Sequence, residues 1–221
     1  MEEDMLPWDY KNIVEKYFPG KETLLDMETG GGEFLVSLRN LPKNVYATES
    51  YEPNISIAKK RLKEKNIILK SIGEDGVIPF TDEYFDIIIN RHGSYEIKEL
   101  KRTLKKEGIF ITQQVGGLNG IDINMVFETK TIEYVNWCMI KNIEMFEDNG
   151  MEILESGEKT GKMKFNDIGA FVYYLKCIPW QVEDFSINKY YRKLKIINQI
   201  IEKDGYINFI MHRFYIIIKK L

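Results

Sequence analysis

The sequence of 221 residues has no long apolar run, few cysteines and no excess of positive charge, and each absence excludes a class of protein. A membrane-spanning helix is expected from about 18 or more apolar residues in succession, and no such run occurs. The two cysteines, Cys138 and Cys177, lie far apart without histidines at zinc-ligand spacing, so we expect buried thiols and no metal site. The net charge of −3 gives no general attraction for phosphate polymers, so we do not expect nucleic acid as a partner.

The composition is that of a globular protein, with 44% hydrophobic and 29% charged residues. The length fits a single domain over residues 1–221 better than two independent domains. The opening stretch, MEEDMLPWDY, is acidic and unlike a signal or transit peptide, so we expect a cytoplasmic protein. No pattern in the sequence predicts an oligomeric state.

The most informative stretch is LLDMETGGGEF, residues 24–34, which reads as a strand, a tight loop and the start of a helix. Asp26 closes the strand, and the consecutive glycines Gly30, Gly31 and Gly32 allow backbone angles and a close ligand approach that side chains would block. The next helix is expected to begin near Gly32, with its unpaired amide groups directed at the loop. In an open α/β sheet this position is the usual ligand crevice.

Two common phosphate-binding loops do not fit these residues. A Walker loop needs Lys and then Ser or Thr after its last glycine, where Glu33 and Phe34 stand, and the dinucleotide fingerprint needs a small residue where Leu35 stands. The stretch instead resembles the first motif of class I S-adenosylmethionine-dependent methyltransferases, an acid followed by G-x-G-x-G. Asp26, Gly30 and Gly32 match, and Glu28 takes the place of the first glycine. An ordinary turn would also explain this loop taken alone.

A second acid follows at the spacing expected for a ribose ligand. The strand NVYATES, residues 44–50, ends in Glu49, about 20 residues beyond the glycine-rich turn, where one carboxylate can accept both ribose hydroxyls. The alternative is a solvated acid at the end of a strand. The resemblance supports the ribose role, and we place Thr29, Ser50 and Asn90 in the same cofactor site.

Two further stretches resemble this family. SIGEDGVIPF, residues 71–80, is similar to G-D-A-x-x-L-P-F, and the resemblance assigns adenine contact to Glu74 and to the backbone at Asp75. Residues 99–108 are similar to the helix E-x-x-R-x-L-K-x-G-G that precedes the fifth strand. The matching residues are Gly73, Pro79, Phe80, Glu99, Arg102, Leu104, Lys105 and Gly108. The resemblance thus covers about residues 22–115, and it implies S-adenosylmethionine as the cofactor.

The alternation of helices and strands independently predicts an α/β fold. Residues 85–89, FDIII, are apolar apart from Asp86, a composition typical of a strand buried on both faces. We therefore expect a doubly wound, mostly parallel, seven-stranded sheet of the Rossmann-like methyltransferase type. It would comprise an N-terminal helix in residues 1–20, a cofactor-binding core in 21–115 and a helical insertion in 163–205 before the last strand. Its crevice would be formed at the strand ends by Asp26, Glu49, Glu74, Asn90 and Gln113.

Beyond residue 115 the predictions rest on composition and periodicity alone. Residues 116–124, GGLNGIDIN, predict a mobile or lid-like loop, and residues 131–149 predict a helix that ends at Gly150. Residues 206–219 predict the closing edge strand, because lysines at its end are typical of edges. The insertion at 163–205 is the expected substrate cover.

The expected reaction needs mainly alignment and exclusion of water, because the cofactor already carries the activated methyl group. His92, just past the fourth strand, is the candidate general base; a hydrogen bond to its loop or to the cofactor is the alternative. Gln113, Gln114 and Trp180 are candidate substrate contacts, and His212 is expected to be structural. We predict a methyltransferase for a small-molecule acceptor, with a core resembling the ubiquinone/menaquinone-biosynthesis type. The alternatives are an RNA or protein methyltransferase and a non-catalytic S-adenosylmethionine-binding regulatory module.

Overall fold

Helices and strands alternate along the chain in the computed structural model, which describes residues 1–73, 76–130 and 132–221. The strands are β1 (Glu2–Glu3), β2 (Thr23–Met27), β3 (Asn44–Glu49), β4 (Ile68–Ser71), β5 (Phe85–Arg91), β6 (Leu104–Val115), β7 (Met151–Phe165) and β8 (Ile207–Lys220). The helices are α1 (Tyr10–Lys16), α2 (Glu33–Ser37), α3 (Glu52–Lys63), α4 (Ile97–Thr103), α5 (Ile121–Phe127), α6 (Met139–Asp148), α7 (Ile168–Cys177) and α8 (Tyr191–Asp204). None of the helices described is both long enough and apolar enough to cross a bilayer.

The chain divides into two compact units. The core unit comprises Trp8–Gln114, Met139–Gly157 and Phe214–Leu221. The insertion unit comprises Met1–Pro7, Val115–Cys138 and Glu158–Arg213. Three of the unit boundaries fall within β6, β7 and β8, and the other two precede Trp8 and Met139.

The strands of the core unit pair in the order that a doubly wound sheet requires. β2 is central and pairs in parallel with β3, where Asp26 lies opposite Ala47, and with β5, where Met27 lies opposite Asn90. β4 pairs in parallel with β3, and β6 with β5. The carboxyl ends of β2, β3 and β5 therefore meet at one edge of the sheet, as predicted for the ligand crevice.

Helices of the core unit cover this sheet with apolar side chains. Val14 of α1, Leu35 of α2 and Leu62 of α3 are fully buried in one cluster with strand residues such as Leu24. A side chain on Gly32 would meet Leu62, since a methyl group there would lie 3.0 Å from its Cδ2, and Gly32 also has a φ of 81°. The motif glycine therefore has a packing role as well as a role in the loop.

The insertion unit has an aromatic core of its own. Phe171 of α7 stacks on Phe209 of β8 at 4.9 Å between ring centroids and contacts Phe165 of β7 at 5.1 Å. Phe127 of α5 and Leu194 of α8 join the same cluster. This apolar core explains why the segment between β7 and β8 folds into helices.

The predicted α/β class and mostly parallel sheet are confirmed, with two differences in the strands. The structure has eight strands where seven were expected, in the order β1-β7-β8-β6-β5-β2-β3-β4, and the extra strand is the two-residue β1, too short to produce a sequence pattern. The prediction of a closing edge strand at residues 206–219 was wrong, because β8 lies between β7 and β6. Its residues 211–218 are all buried, whereas an edge strand leaves one side open.

Three local predictions beyond residue 115 were wrong in part. The predicted loop at 116–124 contains the start of α5, which follows Gly120. Among the residues described, the helix predicted for residues 131–149 is confined to α6, which begins at Met139. The Trp137 carbonyl just before it accepts the Gly117 N–H instead of an N–H four residues further along a helix. Cys177, predicted to be buried, is exposed at the end of α7.

A bulge separates α4 from the buried part of β6. Phe85 pairs with Leu104, whereas Ile87 pairs with Ile109, so residues 105–108 are accommodated as extra chain. Glu107 has a φ of 60° within this bulge. The sequence predicted these residues as the last turn of the helix, and the structure assigns them to the strand instead.

Candidate functional site

The predicted cofactor residues that the structure describes gather at the carboxyl edge of the core unit. Asp26 and Glu49 are almost fully buried, with exposures of 3% and 2%, and Asn90 is fully buried. Buried carboxylates are costly unless they are hydrogen-bonded, so their partners define what this edge can do.

Asp26 is held by the loop that follows it. The Thr29 hydroxyl donates to Asp26 Oδ2 over 2.6 Å, and the Thr29 N–H donates to the Thr48 carbonyl over 2.9 Å. Burial raises the pKa of Asp26 to about 7; the Thr29 hydrogen bond opposes this change, and the charge of Glu49 adds to it. The acid therefore titrates near neutral pH.

Glu49 ties the glycine loop to the end of β3. The Gly30 N–H donates to Glu49 Oε2 over 2.7 Å, and the Tyr51 N–H donates to Oε1 over 2.8 Å. A carboxylate has about four acceptor positions, so two remain for hydroxyl donors of a ligand. The loop and the predicted ribose acid thus form one hydrogen-bonded group, a link that the separate motifs did not predict.

Glu28 is a site residue to which the sequence motifs assigned no role. It has a φ of 54°, and its Oε2 accepts the Ser50 hydroxyl over 2.7 Å and the Ser50 N–H over 3.3 Å. Burial raises the pKa of Glu28, and the nearby Glu49 carboxylate contributes to the rise, while Ser50 opposes it. The departure from glycine at this place in the motif was the signal that could have identified it.

Asn90 is the centre of a buried amide network. Its Nδ2 donates to the Met27 carbonyl over 3.3 Å, and its Oδ1 accepts from Gln114 Nε2 over 2.7 Å. Gln114 Nε2 also donates to the Gly93 carbonyl over 3.1 Å. Gln114 is therefore bonded to the end of β5, and its amide fixes the start of the loop beyond that strand.

Gln113, the other predicted glutamine, connects Trp8 with His92. The Trp8 indole N–H donates to Gln113 Oε1 over 2.9 Å, so the amide nitrogen of Gln113 faces His92 Nε2 at 3.2 Å. The His92 backbone N–H also donates to the Gln113 carbonyl over 2.8 Å, and His92 has a φ of 67°. Because the amide nitrogen is a donor, His92 Nε2 is the acceptor, which places the proton of the neutral ring on Nδ1.

A cavity of about 670 Å³ opens beside this edge of the sheet, within the usual size of small-ligand sites. Its described lining residues include two acids and no lysine or arginine, so it suits a ligand with positive charge. The described lining residues are Met27, Glu28, Ser50, Tyr51, Ile72, Gly73, Gly76, Ser94, Tyr95 and Glu96. The predicted adenine contacts, Glu74 and Asp75, lie outside the described residues.

Two predicted residues belong to the insertion unit. Trp180 is 59% exposed in the connection between α7 and α8. His212 is buried; its Nδ1 accepts the Leu118 N–H over 3.2 Å, and its Nε2 lies 3.0 Å from Glu158 Oε1. Since both ring nitrogens of His212 are hydrogen-bonded, the contacts support the structural role expected for it.

Comparison with known proteins identifies a domain in the region that carries the site. Residues 25–112 match the family described as a methyltransferase domain. This range includes the glycine loop, Glu28, Glu49, Asn90 and His92. No curated protein matches the sequence significantly.

Solved structures match almost the whole chain at low sequence identity. A protein of Bacillus halodurans C-125 described as a candidate methyltransferase is 19% identical with a TM-score of 0.67, and the match covers 96% of this chain and 98% of that one. The YcgJ protein of Bacillus subtilis is 14% identical with a TM-score of 0.66, and the match covers 96% and 97% of the two chains. A geranyl diphosphate methyltransferase solved with S-adenosylmethionine is 12% identical with a TM-score of 0.57, and the match covers 96% and 84%. These likenesses establish a shared fold.

Proposed function

We infer that the chain is a class I S-adenosylmethionine-dependent methyltransferase and that it transfers the methyl group of that cofactor to a small-molecule acceptor. The observation that carries the cofactor site is the cluster formed by the glycine loop, Glu49 and Glu28 beside a cavity without basic residues among its described lining. A nucleoside with a positively charged sulfonium matches this combination of hydroxyl acceptors and negative charge.

Glu49 is the proposed ribose ligand. Its two oxygens are held by the Gly30 and Tyr51 amides at 2.7 and 2.8 Å, so the carboxylate cannot turn away without breaking both bonds. Each oxygen keeps one further acceptor position, which suits the two neighbouring hydroxyls of a ribose. Asp26 and Thr29 support the loop beneath, and Ser50 and Asn90 complete the proposed contact set.

When bound, S-adenosylmethionine supplies a methyl group that is already activated on sulfur. The protein therefore needs mainly to hold the cofactor, align the acceptor with the methyl group and exclude water. His92 is the proposed group that takes the acceptor's proton. In the neutral ring, the contacts of Trp8 and Gln113 place the proton on Nδ1 and leave Nε2 as an acceptor. An acceptor that displaced the Gln113 amide from Nε2 would meet a basic nitrogen there.

The acceptor is proposed to be small because nothing in the overall charge favours a polymer. The net charge is −3, and the insertion at 163–205 supplies an aromatic-rich segment with the exposed Trp180. Among the structural neighbours, one is named for geranyl diphosphate and another for sarcosine and dimethylglycine, which are small acceptors. We propose residues 163–205 as the acceptor cover, with Gln113 and Gln114 as further acceptor contacts.

A macromolecular acceptor is the second candidate. One neighbour, with a TM-score of 0.53 over 66% of this chain, is a Haloferax volcanii methyltransferase candidate in complex with the Trm112 methyltransferase activator. That neighbour works with a protein partner, which favours testing this chain with such a partner as well.

Calorimetric titration tests the cofactor assignment. We expect S-adenosylmethionine and S-adenosylhomocysteine to bind, and Glu49→Ala to lose about 1 to 3 kcal/mol of affinity for each because two hydroxyl contacts and the loop bonds are removed. The matched control is Glu52→Ala, an exposed acid three residues away, which should bind as the wild type does. Absence of heat with both ligands would end the proposal, and unchanged affinity in Glu49→Ala would refute the ribose assignment.

A labelling experiment distinguishes the acceptor classes. The chain is incubated with a methyl-labelled cofactor and either total RNA, total protein or a metabolite extract, with and without a Trm112-type activator. Label in the metabolite fraction supports the small acceptor, whereas label in RNA or protein supports the second candidate. The same assay on Trp180→Ala tests the proposed cover, since an acceptor contact should lower incorporation without altering cofactor affinity.

A further inference from the structure

Glu28 stands in the glycine loop with a backbone conformation that favours glycine. Its φ of 54° lies in the left-handed region, which is unfavourable for a residue with a side chain. The fold also makes room for it: a methyl group on Gly93 would lie 2.5 Å from Glu28 Cβ and 2.9 Å from Cγ. Glu28 has a backbone conformation unfavourable for a side chain, and its side chain fits only because residue 93 is glycine. This combination indicates a functional role for the Glu28 side chain.

The carboxylate of Glu28 is held on the cavity side of the loop. Ser50 fixes Oε2 through its hydroxyl at 2.7 Å and its N–H at 3.3 Å, and Glu28 and Ser50 both line the cavity. Glu49 is 2% exposed and is not part of the described lining. Of these two neighbouring acids, Glu28 is the one that belongs to the described lining of the cavity.

The cavity offers this charge no basic counterpart among its described lining residues. Its acids there are Glu28 and Glu96, and the remaining described residues are neutral. A cationic ligand would supply the missing positive charge, and a neutral ligand of the same shape would not. We therefore expect the affinity of this cavity to depend on the charge of the ligand.

We propose that Glu28 is a specificity-determining residue whose carboxylate favours the cationic S-adenosylmethionine over the neutral product S-adenosylhomocysteine. The inference rests on the proposed function. Transfer breaks the bond between the methyl carbon and the sulfonium, the electron pair of that bond stays on sulfur, and the acceptor forms the new bond and gives up a proton. The ligand in the cavity thereby loses its sulfonium charge, and the attraction to Glu28 weakens at the moment the product must leave.

The test compares the affinities of both ligands in wild type and Glu28→Gln by calorimetry at pH 8. Glutamine keeps the size of the side chain and an oxygen that can accept from Ser50, and it removes only the charge. We expect Glu28→Gln to bind S-adenosylmethionine about three- to tenfold more weakly and to bind S-adenosylhomocysteine almost unchanged. Glu52→Gln removes the same charge from an exposed residue outside the described lining and should leave the ratio of the two affinities as it is.

Glu28→Gly provides a second variant in which the backbone strain is relieved. It should be at least as stable as the wild type and show the same loss of preference as Glu28→Gln. If both variants keep the wild-type ratio of affinities, or lose both ligands equally, Glu28 does not read the charge and this inference alone is overturned. If the wild type binds neither ligand, the proposed function falls and takes the inference with it.

Discussion

The core unit and the insertion unit both bury polar side chains, and they treat them differently. In the insertion unit, Asn124 Nδ2 donates to the Gln181 carbonyl over 2.7 Å, and Gln181 Nε2 donates back to Asn124 Oδ1 over 2.6 Å. Gln181 also donates to the Gly120 carbonyl over 2.9 Å. These amides form a closed network of neutral groups that joins α5 to the connection after α7.

In the core unit, three acids, Asp26, Glu28 and Glu49, lie close together at the sheet edge, beside the neutral amide network of Asn90. Burial raises the pKa values of Asp26 and Glu28, and in both cases the charge of Glu49 adds to the effect. Such a cluster lowers the stability of the fold when it is ionised. Buried polarity alone therefore does not identify a functional site; a set of like charges beside a cavity is the stronger sign.

The closed network should produce the largest effect on stability. We expect Asn124→Ala to lower the free energy of unfolding by about 2 to 4 kcal/mol, because it removes both buried hydrogen bonds between Asn124 and Gln181 and leaves the Gln181 carbonyl without the Asn124 donor. The measurement is urea denaturation of the full chain. Asn198→Ala is the control, since the bond from Asn198 to Glu202 is exposed, and it should change stability by less than about 0.5 kcal/mol. A loss below about 1 kcal/mol for Asn124→Ala would contradict the contrast between the units.

Removing the charge of Asp26 from the sheet edge should increase the stability of the fold, in contrast to Asn124→Ala. The pKa of Asp26 is about 7 in the folded chain against 3.8 without burial, so the folded state keeps a proton that the unfolded state loses as the pH rises from about 4 to 7. Stability due to Asp26 therefore falls over this window and stays low above it. We expect Asp26→Asn to raise the free energy of unfolding at pH 8 by about 2 kcal/mol, with the gain shrinking toward pH 4.

Asp86 provides a control of opposite sign for this pH dependence. Burial tends to raise the pKa of Asp86, but hydrogen bonds from the Thr23 hydroxyl, from Lys105 and from two backbone amides outweigh it and lower the pKa to about 2. Its contribution is therefore present above about pH 4 and is lost as the pH falls through 2. Asp86→Asn should be less stable than the wild type at pH 8. If Asp26→Asn and Asp86→Asn both stabilise the fold at pH 8, or both destabilise it, the pKa values of the two acids are not shifted in opposite directions.

The sequence predicted the core unit better than the insertion unit, for physical reasons. β2 and β5 follow from stretches that are mostly apolar, and β3 follows from the short stretch NVYATES at residues 44–50. Asp26, Glu49 and Asn90 come at or near the ends of these stretches, and parallel pairing predicts that strand ends of this kind lie at one edge of the sheet. Local composition was enough to predict these strands because their buried positions are occupied mostly by apolar residues.

The errors arose where tertiary contacts decide the structure. Gly120 suggested a loop, yet its φ of 67° and its N–H bonded to the Ile210 carbonyl start α5. Lys219 and Lys220 suggested an edge, yet Lys219 pairs with Glu152 and Lys220 donates to the Leu104 carbonyl beside an interior strand. Glu28 was recognised as a departure from the motif, but its partner Gly93 lies 65 positions further along the chain and only the fold brings them together.

The smallest effect on stability is expected from removing the partly buried hydrogen bond between Trp8 and Gln113 in the core unit. Trp8→Phe keeps a ring against Tyr215, whose centroid lies 4.9 Å away, and removes only the N–H that donates to Gln113. We expect a loss of about 0.5 to 1.5 kcal/mol in unfolding free energy, while Trp180→Phe, at an exposed site, should have no effect. Because the Gln113 amide can then reverse, the proton of neutral His92 should shift in part from Nδ1 to Nε2, which nitrogen NMR of the imidazole detects. An unchanged tautomer would show that the hydrogen bond from Trp8 does not determine which nitrogen of His92 carries the proton.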